Sequence, residues 1–281
     1  MAQFALARPR RPASAETTRR AFDAWKLLSL PLFAFIALPL LALFLRASPP
    51  RLAANLADPQ VQQAVALSLQ TGLITTAITV LLGTPVAYIL ARRRFALKRA
   101  VDALVDLPTV LPPAVAGVAL LMAFGRRGLL GGPLTGLGLH LAFTTAAVVM
   151  AQTFVAAPFY VRAALIGFGS IEDELEQAAA LDGANGWQVF RRVTVPLAWP
   201  ALLSGAVMTW ARALGEFGAT IIFAGNFPGR TQTMPLAIYM GFELELDVAL
   251  TLSVILVACS FLVLILVKSL LGREPEAERD W

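Results

Sequence analysis

The chain has 281 residues, of which 58% are hydrophobic and 15% charged, and its mean hydropathy of +0.71 lies outside the range of a soluble globular domain. The formal net charge of +5 and the isoelectric point near 10.0 do not indicate nucleic-acid binding, because the basic residues follow the pattern of membrane topology. Composition therefore favours an integral membrane protein that lies in the lipid bilayer and binds no nucleic acid.

Six stretches stay apolar for close to the length, about 20 residues, that a helix needs to cross a bilayer. We predict membrane-spanning helices at about 27–45, 64–90, 107–124, 141–162, 197–223 and 248–268. The first is too long for the apolar region of a secretory signal peptide and is kept as a helix. Pro108 with Pro112 and Pro113 predicts a kink or a break in the third span. We expect an all-α protein with six transmembrane helices, a basic tail over 1–26 and a second tail over 271–281.

The basic residues are unevenly shared between the two sides of the predicted membrane. If the N-terminus is inside, the outer connections hold only Arg46, Arg51, Arg126, Arg127 and Arg230. The tails and the inner connections hold nearly all the other arginines and lysines, which is the positive-inside distribution. This predicts that both termini are cytoplasmic.

The sequence contains no motif that holds a nucleotide, a metal or a catalytic nucleophile. Its only lysines are Lys26, Lys98 and Lys268, and none of them ends a glycine-rich phosphate loop. His140 and Cys259 are each the only residue of their type, so neither has the partners that a metal site requires. We therefore expect no enzymatic activity and no cofactor or metal in this chain.

A polar segment with a helical pattern of its own, residues 172–196, separates the fourth and fifth predicted spans. Ser170 is placed to cap a first helix with an acidic first turn, and Gly183 offers the left-handed stop that ends it. Asn185 is placed to cap a second helix, and Pro196 is expected to begin the next span. Apolar residues recur at three-residue spacing in that second helix: Trp187, Phe190 and Val193. Such a hairpin either lies on the membrane surface or fits a groove on a soluble partner.

The same segment resembles the EAA loop of the permease subunits of ABC importers. The match falls on Gln177, Ala178 and Ala179, then Gly183, then Val193, Val195 and Pro196, with Gln177 in place of the usual glutamate and Glu176 one position earlier. The resemblance implies the transmembrane fold of a type I ABC importer, whose coupling loop, here residues 170–196, inserts into a cleft of a separate ATP-binding subunit. The residues assigned to that contact are Glu176, Gln177, Ala178, Ala179, Asp182, Gly183, Ala184, Trp187 and Phe190.

Further motifs resemble those of the molybdate-transport permeases, and the likeness covers about 60–270. They are residues 106–117, 124–128, 211–220, 224–226 and 228–239. Sulfate and thiosulfate permeases are similar at the same places but usually have tyrosine where this chain has Phe217. The resemblance implies a homodimer in the cytoplasmic membrane that imports molybdate, with tungstate and sulfate as alternatives. It also implies two ATP-binding subunits, which bind ATP and Mg²⁺, and an extracytoplasmic molybdate-binding protein.

Arg212 and Glu216 are the only charged residues well inside a predicted span, and they are four residues apart on one predicted helical face. Charges within the membrane either pair with each other or line a watery path, so we expect a structural pair or a place on the translocation pathway. The pathway and gate candidates are Arg212, Gly215, Glu216, Phe217, Gly218, Thr71 and Thr75.

Two further patterns leave alternatives open. The hydroxyl groups of Ser68, Thr71, Thr75 and Thr79 share one face of the second span, where they either line a pathway or bond to their own helix carbonyls. Ala211, Gly215 and Ala219 recur at every fourth residue of the fifth span. Small residues at this spacing allow close packing, either at a homodimer seam or within one subunit.

Three bases lie on the predicted outer side: Arg126, Arg127 and Arg230. They are candidates for contact with the binding protein or for attracting anions to the entrance, and the alternative is a solvated loop. Glu243, Glu245 and Asp247 are candidates for pairing with a basic rim of the same partner.

An ion-coupled secondary transporter is the rival class, but it predicts ionisable residues in several spans and an internal repeat, which this chain lacks.

Overall fold

The computed structural model describes residues 14–271, with side chains from Leu28 to Ser269 except that of Val267. All regular structure in these residues is helical. The helices are α1 (Ser14–Arg46), α2 (Pro49–Leu56), α3 (Pro59–Arg92), α4 (Lys98–Val110), α5 (Pro113–Phe124), α6 (Gly131–Gly136), α7 (Thr145–Gly169), α8 (Asp173–Leu181), α9 (Gly186–Val189), α10 (Val195–Leu214), α11 (Gly218–Ala224), α12 (Met234–Leu244) and α13 (Leu246–Leu271), with a π-helical turn at Phe190–Thr194. Residues 1–13 and 272–281 of the predicted tails lie outside the described residues.

The chain divides into two units, Met1–Ser48 and Pro49–Trp281. In the first unit, α1 begins at Ser14, so the helix extends into the segment predicted as a tail. Its most apolar part, Leu28–Arg46, has a mean hydropathy of 2.5 and is long enough to cross a membrane. The second unit contains α2 to α13.

Of the six predicted spans, five are continuous helices among the described residues, and the sixth is present if a bent pair of helices counts as one span. The continuous helices long and apolar enough to span are Leu28–Arg46, Pro59–Arg92, Thr145–Gly169, Gly186–Leu214 and Leu246–Leu266. The sixth consists of α4 and α5, whose axes are bent by 117°. The prediction of one helix over 107–124 is therefore wrong, because Leu111 and Pro112 are extended, as residues that precede proline prefer to be. The prolines had predicted this break.

The helix predicted over 197–223 is also divided. In the structure α10 ends at Leu214, residues 215–217 are irregular, and α11 begins at Gly218. Ala211, Gly215 and Ala219 consequently do not form a stripe on one helix. Ala219 is fully buried, and a Cβ on Gly117 would lie 2.9 Å from its carbonyl oxygen. This close approach joins α5 and α11 within one subunit. The homodimer seam stays a prediction for these small residues.

The centre of the second unit is α7, which packs against α3, α10, α4, α5 and α11. Tyr160 and Phe168 of α7 are buried among side chains of α3 and α10. Gly83 of α3 lets the two helices approach, because a Cβ there would lie 3.0 Å from the Tyr160 ring. Small residues at such crossings give the close van der Waals packing that holds helices together in lipid.

Candidate coupling loop and helix break

Residues 170–196 form the two-helix hairpin that the sequence predicts. Gly183 has a φ of 89° and follows directly after the end of α8, so the predicted left-handed stop is confirmed. Asn185 caps α9: its side chain accepts a 2.9 Å hydrogen bond from the Gln188 N–H, and the Gln188 side chain accepts one of 2.8 Å from the Asn185 N–H. This reciprocal pair is a capping box.

The predicted role of Ser170 is wrong. Ser170 ends α7, where its hydroxyl donates a 3.0 Å hydrogen bond to the Gly167 carbonyl. The residue that precedes α8 is Glu172, in an extended conformation. The first turn of α8 is acidic, as predicted, but its acids are Asp173, Glu174 and Glu176, whereas the sequence indicated Glu172, Asp173 and Glu174.

The sequence predicts that Pro196 begins the next span, but in the structure Pro196 lies inside a longer helix. The chain is helical without interruption over Gly186–Leu214. Just before Pro196 the helix widens by one π-helical turn, in which the Val195 N–H bonds to the Phe190 carbonyl. Because proline has no N–H and crowds the preceding turn, a single wide turn at this point accommodates it. The second loop helix and the fifth span are therefore one continuous element.

The structure separates the nine predicted coupling residues into an exposed and an inward set. The exposed ones are Gln177, Ala178, Asp182, Gly183 and Trp187, while Ala179 and Ala184 are partly covered. Trp187 has 67% of its surface exposed. Glu176 and Phe190 instead turn towards the spans and contact residues of the same subunit. Glu176 and Phe190 therefore attach the loop to the spans, and the exposed residues form the solvent-facing surface of the loop.

Glu176 is held in a polar network that includes Arg92, the last residue of α3. One Glu176 carboxylate oxygen lies 3.3 Å from Arg92 Nη2 and accepts a 2.7 Å hydrogen bond from the Thr194 hydroxyl. Arg92 also donates to the Ile171 carbonyl at 3.0 Å and pairs with the Asp173 carboxylate. The side chains of Arg92 and Glu176 are only 12% and 19% exposed. The network ties the coupling loop to α3 and, through Thr194, to the helix that continues into α10.

Phe190 anchors the loop by aromatic contacts. Its ring centroid lies 5.1 Å from that of Tyr88 in α3 and 6.3 Å from that of Phe168 in α7. Trp187 also stacks on Phe190, with ring centroids 5.6 Å apart. Such ring pairs stabilise packing beyond the area that they bury. A movement of the exposed Trp187 is thus connected to α3 and α7 through Phe190.

A second ionic network joins α4 to α7. Arg162 Nη1 lies 2.7 Å from Asp102 Oδ1, and Arg162 Nε donates a 2.6 Å hydrogen bond to Asp106 Oδ1. Asp106 is the first residue of the motif 106–117. No local sequence pattern indicates this network, because the carboxylate partners of Arg162 are 56 and 60 residues away along the chain.

Arg212 and Glu216 are in contact, as an intramembrane pair should be. Arg212 Nη1 lies 2.9 Å from Glu216 Oε2, and Glu216 is 1% exposed whereas Arg212 is 30% exposed. Glu216 lies in the irregular segment after α10 and not on a continuous helical face. Its other oxygen accepts a 2.8 Å hydrogen bond from the Ala219 N–H. The carboxylate thus binds the end of α10 and the first turn of α11 together.

The two helix breaks meet in space. A Cβ on Gly218, the first residue of α11, would lie 2.6 Å from the Pro113 Cβ at the start of α5. Phe217 is half-buried, and its ring centroid is 5.5 Å from that of Tyr239 in α12. Gly215 is exposed. The pathway candidates of the fifth span therefore surround a junction between α5, α10, α11 and α12.

The hydroxyl-bearing face of α3 points into the subunit. Ser68, Thr71, Thr75 and Thr79 are all buried. Thr71 donates a 2.9 Å hydrogen bond to the Leu67 carbonyl of its own helix, which was the alternative to a pathway role. Thr75 donates to Gln152 Oε1 of α7 at 3.1 Å, and Ser68 accepts a 2.7 Å hydrogen bond from the Met234 N–H. These hydroxyls connect α3 to α7 and α12.

The three predicted outer arginines are exposed, and none pairs with a carboxylate among the described residues. Arg126 lines a cavity of about 320 Å³ together with His140 and Phe143. The Phe143 ring lies 6.4 Å from that of Phe227, whose carbonyl bonds to the Arg230 N–H at 3.1 Å. Arg126 and Arg230 therefore belong to connected loops.

Asp247, predicted for an external partner, pairs instead with Arg51 at 2.7 Å.

An exposed two-helix loop, tied to several spans that meet at broken helices, defines the membrane subunit of a transport system. Residues 83–273 match the family described as "binding-protein-dependent transport system inner membrane component", and the chain belongs to that family. It is a multi-pass transport subunit and not an enzyme, and ATP hydrolysis in such systems belongs to a separate chain.

Two relatives and one solved structure illustrate the likeness. The chain is 46% identical to the molybdenum transport system permease protein ModB of Mycobacterium tuberculosis, over 82% of this chain and 88% of the relative. It is 36% identical to the sulfate transport system permease protein CysW of Synechococcus elongatus, over 80% and 79%. A chain of a bacterial alginate ABC transporter crystallised with its periplasmic protein superposes with a TM-score of 0.70 at 17% identity, covering 92% of this chain and 96% of that one. The fold is that of ABC transporter transmembrane subunits.

Proposed function

We propose that this chain is the permease subunit of an ATP-driven importer that moves molybdate across the cytoplasmic membrane. The observation that carries the proposal is its 46% identity, over most of both chains, to a permease named for molybdenum transport. The exposed coupling loop supports the same conclusion, because a chain without a nucleotide site needs a surface through which an ATPase acts on it.

The active assembly is proposed to contain two copies of this chain, two ATP-binding subunits that bind ATP and Mg²⁺, and an extracytoplasmic molybdate-binding protein. The exposed surface of the loop, with Gln177, Ala178, Asp182 and Trp187, enters a cleft on the ATP-binding subunit. Closure of the ATP-bound subunits draws the two loops together. Arg92, Glu176 and Phe190 transmit that movement to α3, α7 and α10.

The gate is proposed to lie where the two helix breaks meet. Irregular backbone at membrane depth is tolerated when protein surrounds it, and residues 215–217 pack beside the start of α5. A displacement of α10 is passed on to α11 at this point, because Glu216 bonds to both helices. Arg212 attracts a dianion only weakly while Glu216 neutralises it, so its main role is to hold the junction.

On the outer side, Arg126, Arg127 and Arg230 are proposed to contact acidic residues of the molybdate-binding protein. Their exposure and their lack of carboxylate partners among the described residues support this role. Charges at the rim of an interface increase the rate of association and select the partner.

Both termini are proposed to be cytoplasmic, in agreement with the positive-inside distribution.

Reconstitution tests the proposal. The permease is placed in proteoliposomes with its ATP-binding subunit inside, and the binding protein is added outside with molybdate, tungstate or sulfate. We expect ATP-dependent uptake of molybdate that needs all three components. Uptake that persists without the ATP-binding subunit contradicts the importer, and uptake of sulfate but not molybdate assigns the chain to the cargo that its 36% identical relative is named for.

A further inference from the structure

An apolar groove runs along α3 up to the coupling loop. Its volume is about 690 Å³. One wall is α3, with Val80, Leu81 and Pro85, and the other is the start of the helix that follows the loop, with Trp187 and Phe190. Arg93, immediately after α3, closes one end. The contacts of Glu176 and Phe190 that attach the loop leave this groove open.

The groove has the polarity profile of one leaflet of a bilayer. From Val80 to Arg93 the helix rises about 20 Å, at about 1.5 Å per residue, and half of a hydrocarbon core is about 15 Å. The deep end is apolar, with Leu81 72% exposed. The other end carries Trp187, which is 67% exposed, and a guanidinium group. Tryptophan and arginine are the residues that mark the boundary between acyl chains and headgroups.

The cation at that boundary is free to bind an anion. Arg92, one residue earlier, is occupied by Asp173, Glu176 and the Ile171 carbonyl. Arg93 is exposed and has no carboxylate partner among the described residues. A neighbouring protein helix in the groove would bury this charge and would have to supply a carboxylate for it. A lipid phosphate supplies the opposite charge at the correct depth.

We propose that this groove binds an anionic phospholipid, with its phosphate on Arg93 and one acyl chain between Leu81, Pro85 and Trp187. Basic pockets beside transmembrane helices bind such headgroups. The bound lipid contacts α3 and the base of the coupling loop at the same time, at Phe190 and the side of Trp187 that lines the groove, and it leaves the rest of the exposed loop surface to the ATP-binding subunit. The proposal concerns lipid and holds whichever anion the protein transports.

The test uses the full-length permease alone, in nanodiscs of phosphatidylcholine with and without phosphatidylglycerol. Native mass spectrometry counts the retained lipid, and thermal unfolding reports stability. We expect retained phosphatidylglycerol and a higher unfolding temperature. Arg93→Gln should retain about fivefold less phosphatidylglycerol, and Arg93→Lys should restore most of it. Arg94→Gln is the matched control, because it removes the same charge at the next residue, which does not line the groove.

A second variant tests the apolar part of the groove. Leu81→Trp fills it while leaving Arg93 in place, and it should lower retention of the lipid. Equal loss in Arg93→Gln and Arg94→Gln would show diffuse attraction to the membrane surface and overturn the proposal. Equal retention of phosphatidylcholine and phosphatidylglycerol would overturn it as well. Cross-linking of a Leu81→Cys variant to a second protein chain in membranes would assign the groove to a protein.

Discussion

Arg92, the last residue of the second span, lies 3.3 Å from the carboxylate of Glu176 in the coupling loop. The same carboxylate accepts a hydrogen bond from Thr194, in the helix that continues into α10. Three elements that are distant in the sequence therefore meet at one acidic side chain. Movement of the loop cannot occur without movement of both spans unless these bonds break.

Replacing Arg92 should uncouple ATP hydrolysis from transport. Arg92→Gln removes the ionic contacts to Asp173 and Glu176, and hydrogen bonds to charged groups each contribute about 1.5–3 kcal/mol. We expect molybdate uptake by the reconstituted complex to fall about tenfold while ATP hydrolysis continues with less dependence on loaded binding protein. Arg191→Gln changes an exposed arginine within the same loop that makes no ion pair among the described residues; it is the control and should behave as wild type. Equal uptake by both variants would contradict the assigned role.

Trp187→Ala should weaken binding of the ATP-binding subunit, whereas Phe190→Ala should lower the stability of the permease, although the two rings stack on each other. Trp187→Ala removes an exposed side chain, so the isolated permease should keep its unfolding free energy while binding of the ATP-binding subunit weakens. Phe190→Ala removes ring contacts with Tyr88 and Phe168 and should lower the free energy of unfolding by about 3–5 kcal/mol. Detergent-induced unfolding and co-purification measure the two effects. Loss of stability in Trp187→Ala without loss of binding would reverse the two assignments.

The buried carboxylate of Glu216 should make Arg212 indispensable for stability. Arg212→Ala leaves a charge that is 1% exposed without its partner, and breaking such a pair costs about 3–5 kcal/mol. The double variant Arg212→Ala with Glu216→Gln should recover part of this loss, because the amide oxygen can still accept from Ala219. Thermal unfolding in detergent measures both. A single variant as stable as wild type would show that the pair does not hold the junction.

Gly117 should not tolerate even one added methyl group. A Cβ there would lie 2.7 Å from the Ile222 Cβ and 2.9 Å from the Ala219 carbonyl oxygen, so Gly117→Ala must push α5 away from α11. Overpacking of this kind costs about 1–3 kcal/mol, and we expect a lower unfolding temperature together with reduced uptake. Gly132→Ala is the control, since nothing lies within 4 Å of the added atom. Similar unfolding temperatures for the two variants would argue against the close contact.

The coupling loop is more predictable from sequence than its attachment. The left-handed Gly183 and the Asn185 cap depend on neighbouring residues, so local rules are sufficient to predict them. The partners of Arg92 are 79 to 84 residues away, and no local pattern connects them. Glu176 was assigned to the contact with the ATP-binding subunit, because a family motif records position in the chain but not the direction of a side chain.

The membrane spans also combine features that local sequence predicts with features that depend on contacts between distant residues. Stretches without charge predict where the chain crosses the membrane, because burial of charge in lipid is costly. The break before α5 has a local signal in Pro112 and Pro113. The break at residues 215–217 has almost none, because Gly215 alone is tolerated inside helices. It is stabilised by tertiary contacts, namely the Glu216 carboxylate with Ala219 and the approach of Gly218 to Pro113.

The uninterrupted helix from the coupling loop to the fifth span is long enough to act as a lever. Its 29 residues, Gly186–Leu214, extend about 43 Å at about 1.5 Å per residue. If the ATP-binding subunit holds the loop end of this helix, as proposed, a rigid tilt of about 10° about that end displaces Leu214 by about 7 Å. In the proposed importer, small rotations of the ATP-binding subunits are therefore amplified at the helix break after Leu214, inside the membrane.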